Sequence, residues 1–261
     1  MPGGSTDWDA SSYHRVAAPQ EEWAREVLER LPLSGGETVL DAGCGSGRAT
    51  RWLLERLPQG RVVGVDGSES MIAEARRALA GYGDRVALIH SDLLKLELDE
   101  PVDAVFSNAT FHWIADHDRL FARLRAAMKP GAPLVAQCGG EGNVAEYEQA
   151  ILRAAAEPEF APVFAGWPVP WHFAGVAETE ERLRAAGFDG IRSWLQEKVV
   201  EPDDPRDFIS AVGLAAHHER LSADRREAFT DAVLRHLSRP LILRYVRLNI
   251  DARAGGITGS P

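Results

Sequence analysis

The sequence predicts an α/β fold: a doubly wound, mostly parallel sheet with a helical cap or lid. Three observations predict it. Between Glu37 and Gly139, short β-branched runs alternate with longer amphipathic stretches, the pattern of strands joined by crossover helices. A turn containing three glycines directly follows the first run. After Gly142 the texture changes, and a segment holding several prolines and tryptophans fits neither periodicity.

Taken in order, the expected strands are residues 38–41 (TVLD), 61–66 (RVVGVD), 85–90 (RVALIH), 102–107 (VDAVFS) and 133–137 (PLVAQ). Helical patterns cover 48–57, 70–79 and 118–128, and Lys129-Pro130-Gly131 stops the last of them. Beyond Gly142 come a helix over 144–156, a lid-like stretch over 157–173 and a helix over 179–186 closed by Gly187. A strand at 191–200, helices near 205–220 and 223–237, and a final strand at 241–250 complete the expectation. As domains, residues 1–35 read as an arm and helix covering the site. Residues 36–142 and 175–254 form the core, with a helical insertion at about 201–238; 143–174 is the lid-like insertion and 255–261 a disordered tail.

Composition narrows the function. The 261 residues are 45% hydrophobic and 26% charged, and no apolar run approaches the length of a membrane span. Cys44 and Cys138 lack CxxC or Cys/His metal spacing, so no disulfide framework or metal site is suggested, and a reducing cytoplasm is expected. The opening MPGGSTDWDASSYHR has no secretory pattern. With 29 Lys and Arg against 39 Asp and Glu, the net charge of −10 disfavours nucleic acid as a partner.

The segment VLDAGCGSGRAT sets Gly43, Gly45 and Gly47 between strand and helix, where a ligand can approach the backbone. Arg48 stands where a dinucleotide fingerprint wants its third glycine, which weakens a nicotinamide reading. Asp41, just ahead of the turn, would repel a pyrophosphate and attract an ammonium or sulfonium; otherwise it is a capping or turn aspartate. Asp66 ends the second strand at a spacing suited to ribose hydroxyls, Ser68 and Ser70 being better placed to cap the next helix. Asp92 follows the third strand and is placed to accept from an adenine amino group. Three acids at consecutive strand ends describe a nucleoside site more readily than three caps.

At these residues the chain resembles the class I S-adenosylmethionine-dependent methyltransferases. VLDAGCGSG is similar to their first motif, VVGVDGS to the ribose-binding acid and HSDLL to the adenine-contacting acid. Within them it is most similar to the trans-aconitate 2-methyltransferase-like group, through WDASSYHR, MIAEAR, SNATFHWIADH and, more loosely, LILRYVRLNI. The resemblance implies a Rossmann-like sheet with a late antiparallel strand, and S-adenosyl-L-methionine as cofactor. It implies that Asp41, Gly43, Cys44 and Gly45 hold the methionine part and Asp66 the ribose. Gly67, Ser68 and Met71 would surround the adenine, Asp92 and Leu93 close over it, and Asn108 lie near the sulfonium. Leu93 stands where the family often has an aromatic residue, and little of 145–239 matches.

Methyl transfer from a sulfonium is an in-line displacement that gains from alignment and from exclusion of water. A carboxylate acceptor needs no base; a phenol or alcohol does. His112 is the candidate base, with a hydrogen-bonding pocket histidine as the alternative, and Trp113 reads as a wall under the cofactor. Trp8 and Tyr13 belong to an arm that would either fold over the cofactor and line the acceptor pocket or merely cover core. Arg15, Arg244 and Arg247 are candidates for gripping a carboxylate, with Tyr245 on the same strand face as Arg247. Trp167, Trp171, His172 and Phe173 either form a lid over an apolar acceptor or anchor a loop. His217 and His218 read as surface residues. The leading reading is methylation of a small molecule at an oxygen nucleophile such as a carboxylate. The alternatives are a carboxyl methyltransferase acting on an acyl-carrier-protein-bound substrate and a non-catalytic nucleoside-binding module.

Overall fold

Residues 18–256 are described by a computed structural model. A first helix, α1 (Ala18–Glu29), leads into β1 (Thr38–Ala42), α2 (Arg48–Arg56), β2 (Arg61–Asp66), α3 (Glu69–Ala78) and β3 (Val86–His90). Then follow β4 (Ala104–Asn108), α4 (His117–Ala126) and β5 (Pro133–Gly139). The later part holds α5 (Ala145–Ala155), α6 (Ala161–Phe164), α7 (Val176–Ala185), β6 (Phe188–Val200), α8 (Pro205–Phe208), α9 (Ala215–Glu219), α10 (Ala223–Arg235) and β7 (Leu243–Ala254).

The seven strands form one sheet in the order β3-β2-β1-β4-β5-β7-β6. The first five pair in parallel, and β7 runs antiparallel between β5 and β6. This is the mostly parallel Rossmann-like sheet with a late antiparallel strand. Between β1 and β4 the winding reverses, and open α/β sheets bind ligands beyond the strand ends at that point.

The central strands are buried on both faces, as their continuous apolar runs require. Alternation splits them between two cores: Leu40, Val105 and Leu134 pack with Leu120, Phe121 and Leu183, whereas Val39, Phe106 and Val135 pack with Val27, Leu53 and Leu79. Helix starts are written locally. Ser68 caps α3 by accepting the Met71 N–H at 3.3 Å, and Asp116 caps α4 by accepting that of Arg119 at 2.9 Å. A third core, with Tyr147, Phe160, Phe164, Phe229 and Tyr245, joins α5, α6 and α10 to the end of β7.

Two expectations need correction. The helix expected over 205–220 is broken: Asp204 caps the short α8, a π turn covers Ile209–Gly213, and α9 begins afresh. Gly213 sits against Tyr147, where a β-carbon would come within 2.0 Å of the phenol oxygen, so the chain must bend around that ring. Secondly, the strand expected at 191–200 starts at Phe188, with a register irregularity between Asp189 and Arg192. Among the described residues, no helix is long and apolar enough to cross a membrane.

Candidate functional site

A cavity of about 1360 Å³ opens over the carboxyl ends of β1, β2 and β4 and continues beneath the third core. Its first half is built by the glycine turn. Gly43 has a φ of +84°, and a β-carbon there would lie 2.0 Å from the Thr110 hydroxyl oxygen, so no other residue fits unless Thr110 moves. Gly45, at φ +53°, faces open space. The amides of Gly43 and Cys44 donate to the Val65 carbonyl at 2.8 and 3.1 Å, fixing the turn to β2. Helix α2 then starts at Gly47 without a side-chain cap, and its first residues Arg48 and Ala49 line the cavity.

Asp41 is 1% exposed and accepts the Thr50 hydroxyl of α2 at 2.7 Å. Burial pushes its carboxyl up to about 7, against the Thr50 hydrogen bond and helped by the charge of Asp66. Asp66 accepts the amides of Gly45 at 2.8 Å and Ser68 at 2.9 Å, one on each oxygen, and burial raises its pKa as well. Each oxygen keeps a lone pair for a further donor. Gly67 accepts from the His90 ring at 3.0 Å, and Met71 and Leu93 are buried in the same wall. Cys44 is buried, and burial drives its thiol well above the usual range, so it stays protonated.

Asp92 differs from the other two acids. It is exposed and accepts the Leu94 N–H at 2.9 Å, capping the short turn Leu93–Lys95. One of the three strand-end acids is therefore a cap, although it also lines the cavity.

Asn108 closes the floor. Its Oδ1 is buried without a hydrogen-bond partner among the described residues, and the next residue, Ala109, holds a left-handed φ of 56°. Alanine resists that conformation by about 1–2 kcal/mol, and it turns the chain sharply out of β4 along the cavity wall.

The second half starts at the turn Phe111–Trp113. The His112 Nδ1 accepts the Gly139 N–H at 3.3 Å. Burial, with the charges of Arg247 and His117, holds the ring well below the ordinary histidine value. The neutral ring therefore carries its proton on Nε2 and is a donor there. Arg247 is the cross-strand partner of Gly139; it is 5% exposed, lies 5.3 Å over the Trp23 ring and points its Nε at Gln137 Oε1, 3.4 Å away. Tyr245 lies on the same face of β7 and also lines the cavity, whereas Arg244 is exposed and does not. Trp113 packs edge-on to Trp171 with centroids 6.3 Å apart.

The segment 167–173 lies against this half. Trp171 donates to Glu148 at 2.9 Å and stacks on Phe173, and the His172 amide donates to the His112 carbonyl at 2.7 Å. The stretch thus lines the cavity and is also fastened to its surroundings. His217 is not a surface residue: it is 2% exposed among Phe164, Trp167, Trp171 and Phe229, and burial pulls its pKa down to about 3. His218 is half-buried against the Thr230 hydroxyl at 3.1 Å and is pulled down to about 4.

Trp8, Tyr13 and Arg15 lie outside the described residues. Sequence reasoning missed Trp23, Asn143 and Tyr147, all on the cavity wall. Tyr147 is buried with an unpartnered hydroxyl among the described residues. Its helix shows ordinary amphipathic spacing, so nothing local distinguishes it from a core tyrosine.

Residues 39–131 match a family model described as a methyltransferase domain. The chain is 35% identical over 190 residues to trans-aconitate 2-methyltransferase of Methylobacterium nodulans, covering 72% of this chain and 67% of the relative. It is 32% identical over 232 residues to the same enzyme of an Azoarcus species, covering 86% and 87%. Its fold is similar to that of Haemonchus contortus phosphoethanolamine N-methyltransferase 2, solved with phosphomonomethylethanolamine and S-adenosylhomocysteine. There the TM-score is 0.62 at 20% identity, over 94% of this chain and 57% of that one.

Proposed function

The chain belongs to the trans-aconitate 2-methyltransferase group of S-adenosylmethionine-dependent methyltransferases, and from that premise we propose that it converts a small carboxylic acid to its methyl ester. The residues of the first half suit the cofactor. Gly45 leaves open space against the backbone, the uncapped start of α2 suits an amino-acid carboxylate, and Asn108 Oδ1 is a buried acceptor in need of a donor. Asp66 takes the ribose hydroxyls on its remaining lone pairs. Asp41 supplies negative charge beneath the cationic end, Gly67, Ser68, Met71, Asp92 and Leu93 enclose the base, and Trp113 walls the junction.

The cofactor supplies a methyl group on a positively charged sulfur. Bound there, it would let a carboxylate oxygen take the methyl while the C–S electron pair stayed with sulfur, with no proton for any residue to remove. Charge disappears from both partners, so a dry site favours the step. Arg247 pairs with the carboxylate and fixes its orientation, leaving a lone pair on each oxygen. His112 donates through Nε2 and takes no proton, in place of the base role its position suggests. Trp171 and Tyr245 help exclude water. Orientation of this kind contributes up to about 7–11 kcal/mol in favourable cases.

The observation that carries this reading is the placement of two donors, the buried Arg247 and a histidine whose Nδ1 is committed to Gly139, around one strand end. Such a site suits an acceptor that is already an anion. Transfer of labelled methyl to carboxylic acids should give a product that releases methanol in alkali. Labelling of phenols or amines only, with an alkali-stable product, overturns it.

A further inference from the structure

Among the described residues, the acceptor half is poor in positive charge for a substrate carrying several carboxylates. Among the described residues, Arg247 lies at its floor and Arg220 at its edge, 5.2 Å over the Trp167 ring. Arg48 and Lys95 line the cofactor half instead, after the glycine turn and after Leu94. Asp116 and Glu219 on the wall add negative charge. The remaining surface is largely rings: Trp23, Trp167, Trp171, Phe173 and Tyr147. A tricarboxylate such as the one in the relatives' name would press its second and third anionic groups against these faces, and an anion without a hydrogen-bonding partner there is strongly disfavoured. Rings welcome hydrocarbon and aryl groups.

Tyr147 adds a separate clue. Its hydroxyl is buried on the cavity wall, with no hydrogen-bond partner among the described residues. A buried phenol left unsatisfied is rare, and this one packs against Gly213, which lines the same cavity, so a ligand that reaches between the ring and the turn would supply its partner.

Resting on the carboxylate reading above, we propose that the acceptor is a hydrophobic monocarboxylic acid whose carboxylate meets Arg247 and whose far end offers Tyr147 a hydrogen-bond acceptor. The selectivity comes from the aromatic wall above Arg247. A carbonyl or ether oxygen at the distal end accepts from the Tyr147 hydroxyl, while the hydrocarbon between fills the space among Trp23, Trp171 and Phe173.

The test compares initial rates of methyl transfer from S-adenosylmethionine to trans-aconitate, octanoate, 3-phenylpropionate and 3-(4-methoxyphenyl)propionate. At least one monocarboxylate should exceed trans-aconitate in kcat/KM by about tenfold or more. Tyr147→Phe, which removes only a hydroxyl, should raise KM for the methoxy acid about tenfold and leave that for 3-phenylpropionate within twofold. A kcat/KM for trans-aconitate equal to or above every monocarboxylate overturns the proposal while leaving the carboxylate reading intact. An equal response of both aryl acids to Tyr147→Phe overturns the assignment of Tyr147. Methylation of phenols or amines with no carboxylic acid turned over removes the carboxylate reading, and this proposal with it.

Discussion

The two halves of the cavity are built differently. The cofactor half comes from strand ends and one glycine turn within residues 41–108, held by backbone amides and buried acids. The acceptor half is gathered from α1, α5, the loop 167–173 and β7 and, among the described residues, is lined mostly by rings together with the buried Arg247 and His112. Their buried ionisable groups also respond to pH in opposite directions. Asp41 carries a raised pKa and His217 a lowered one, so acid favours the first environment and base the second. Among the described residues, buried carboxyls thus mark the first half, and a buried guanidinium set among rings marks the second.

The sharpest way to break this contrast is Asp66→Ala. Losing hydrogen bonds to a charged group at about 1.5–3 kcal/mol each, twice over, should lower cofactor affinity by roughly 100-fold or more in calorimetry. Unchanged heat of binding would remove the nucleoside assignment of the first half. Next comes Arg247→Met, expected to reduce kcat/KM for the acceptor by about 100-fold while cofactor affinity stays within twofold. A parallel fall in both would show that the halves are not separable.

The pH behaviour sharpens the contrast further. His217 has a folded pKa below its ordinary value, so its contribution to stability is full above about pH 6.5 and is lost as pH falls towards 3. Between pH 6.5 and 5 this amounts to about 2 kcal/mol. His217→Phe should flatten that part of the denaturant-stability profile; a slope equal to the parent's would refute it. Asp41 has the reverse sign. Its folded pKa is raised, so the free protein holds this stability fully below about pH 4 and loses it as pH rises through 7. A cation bound beside it favours the ionised form. Cofactor affinity should therefore rise with pH below 7, by at most about tenfold per unit, with proton release on binding. Asp41→Asn should abolish the release, seen as equal calorimetric heats in buffers of different ionisation enthalpy.

The same contrast decides what the sequence reveals. The glycine turn, Asp41 and Asp66 are legible because strand, turn and helix follow one another within a few residues, so position in the chain fixes position in space. Asp92 was harder, since a cap and a ligand acid occupy the same place after a strand. The acceptor half depends on contacts between distant segments, such as Tyr147 with Gly213 and Trp23 with Tyr245. Periodicity marks Tyr147 only as one more apolar position on a helix face. His217 reads as a surface residue in the sequence because it lies on an expected helix with no further ligand at metal spacing, and the rings that bury it, Phe164, Trp167, Trp171 and Phe229, come from other segments.

The place of β7 in the sheet has a consequence during synthesis. Tyr245 and Arg247 reach the cavity on a strand that slots between β5 and β6 only after both have been made. A nascent chain that has emerged only through β6 already holds β1 to β5 and the glycine turn, but not yet Tyr245 or Arg247. The cavity floor is thus completed by the last strand to leave the ribosome, which must enter between two neighbours already made.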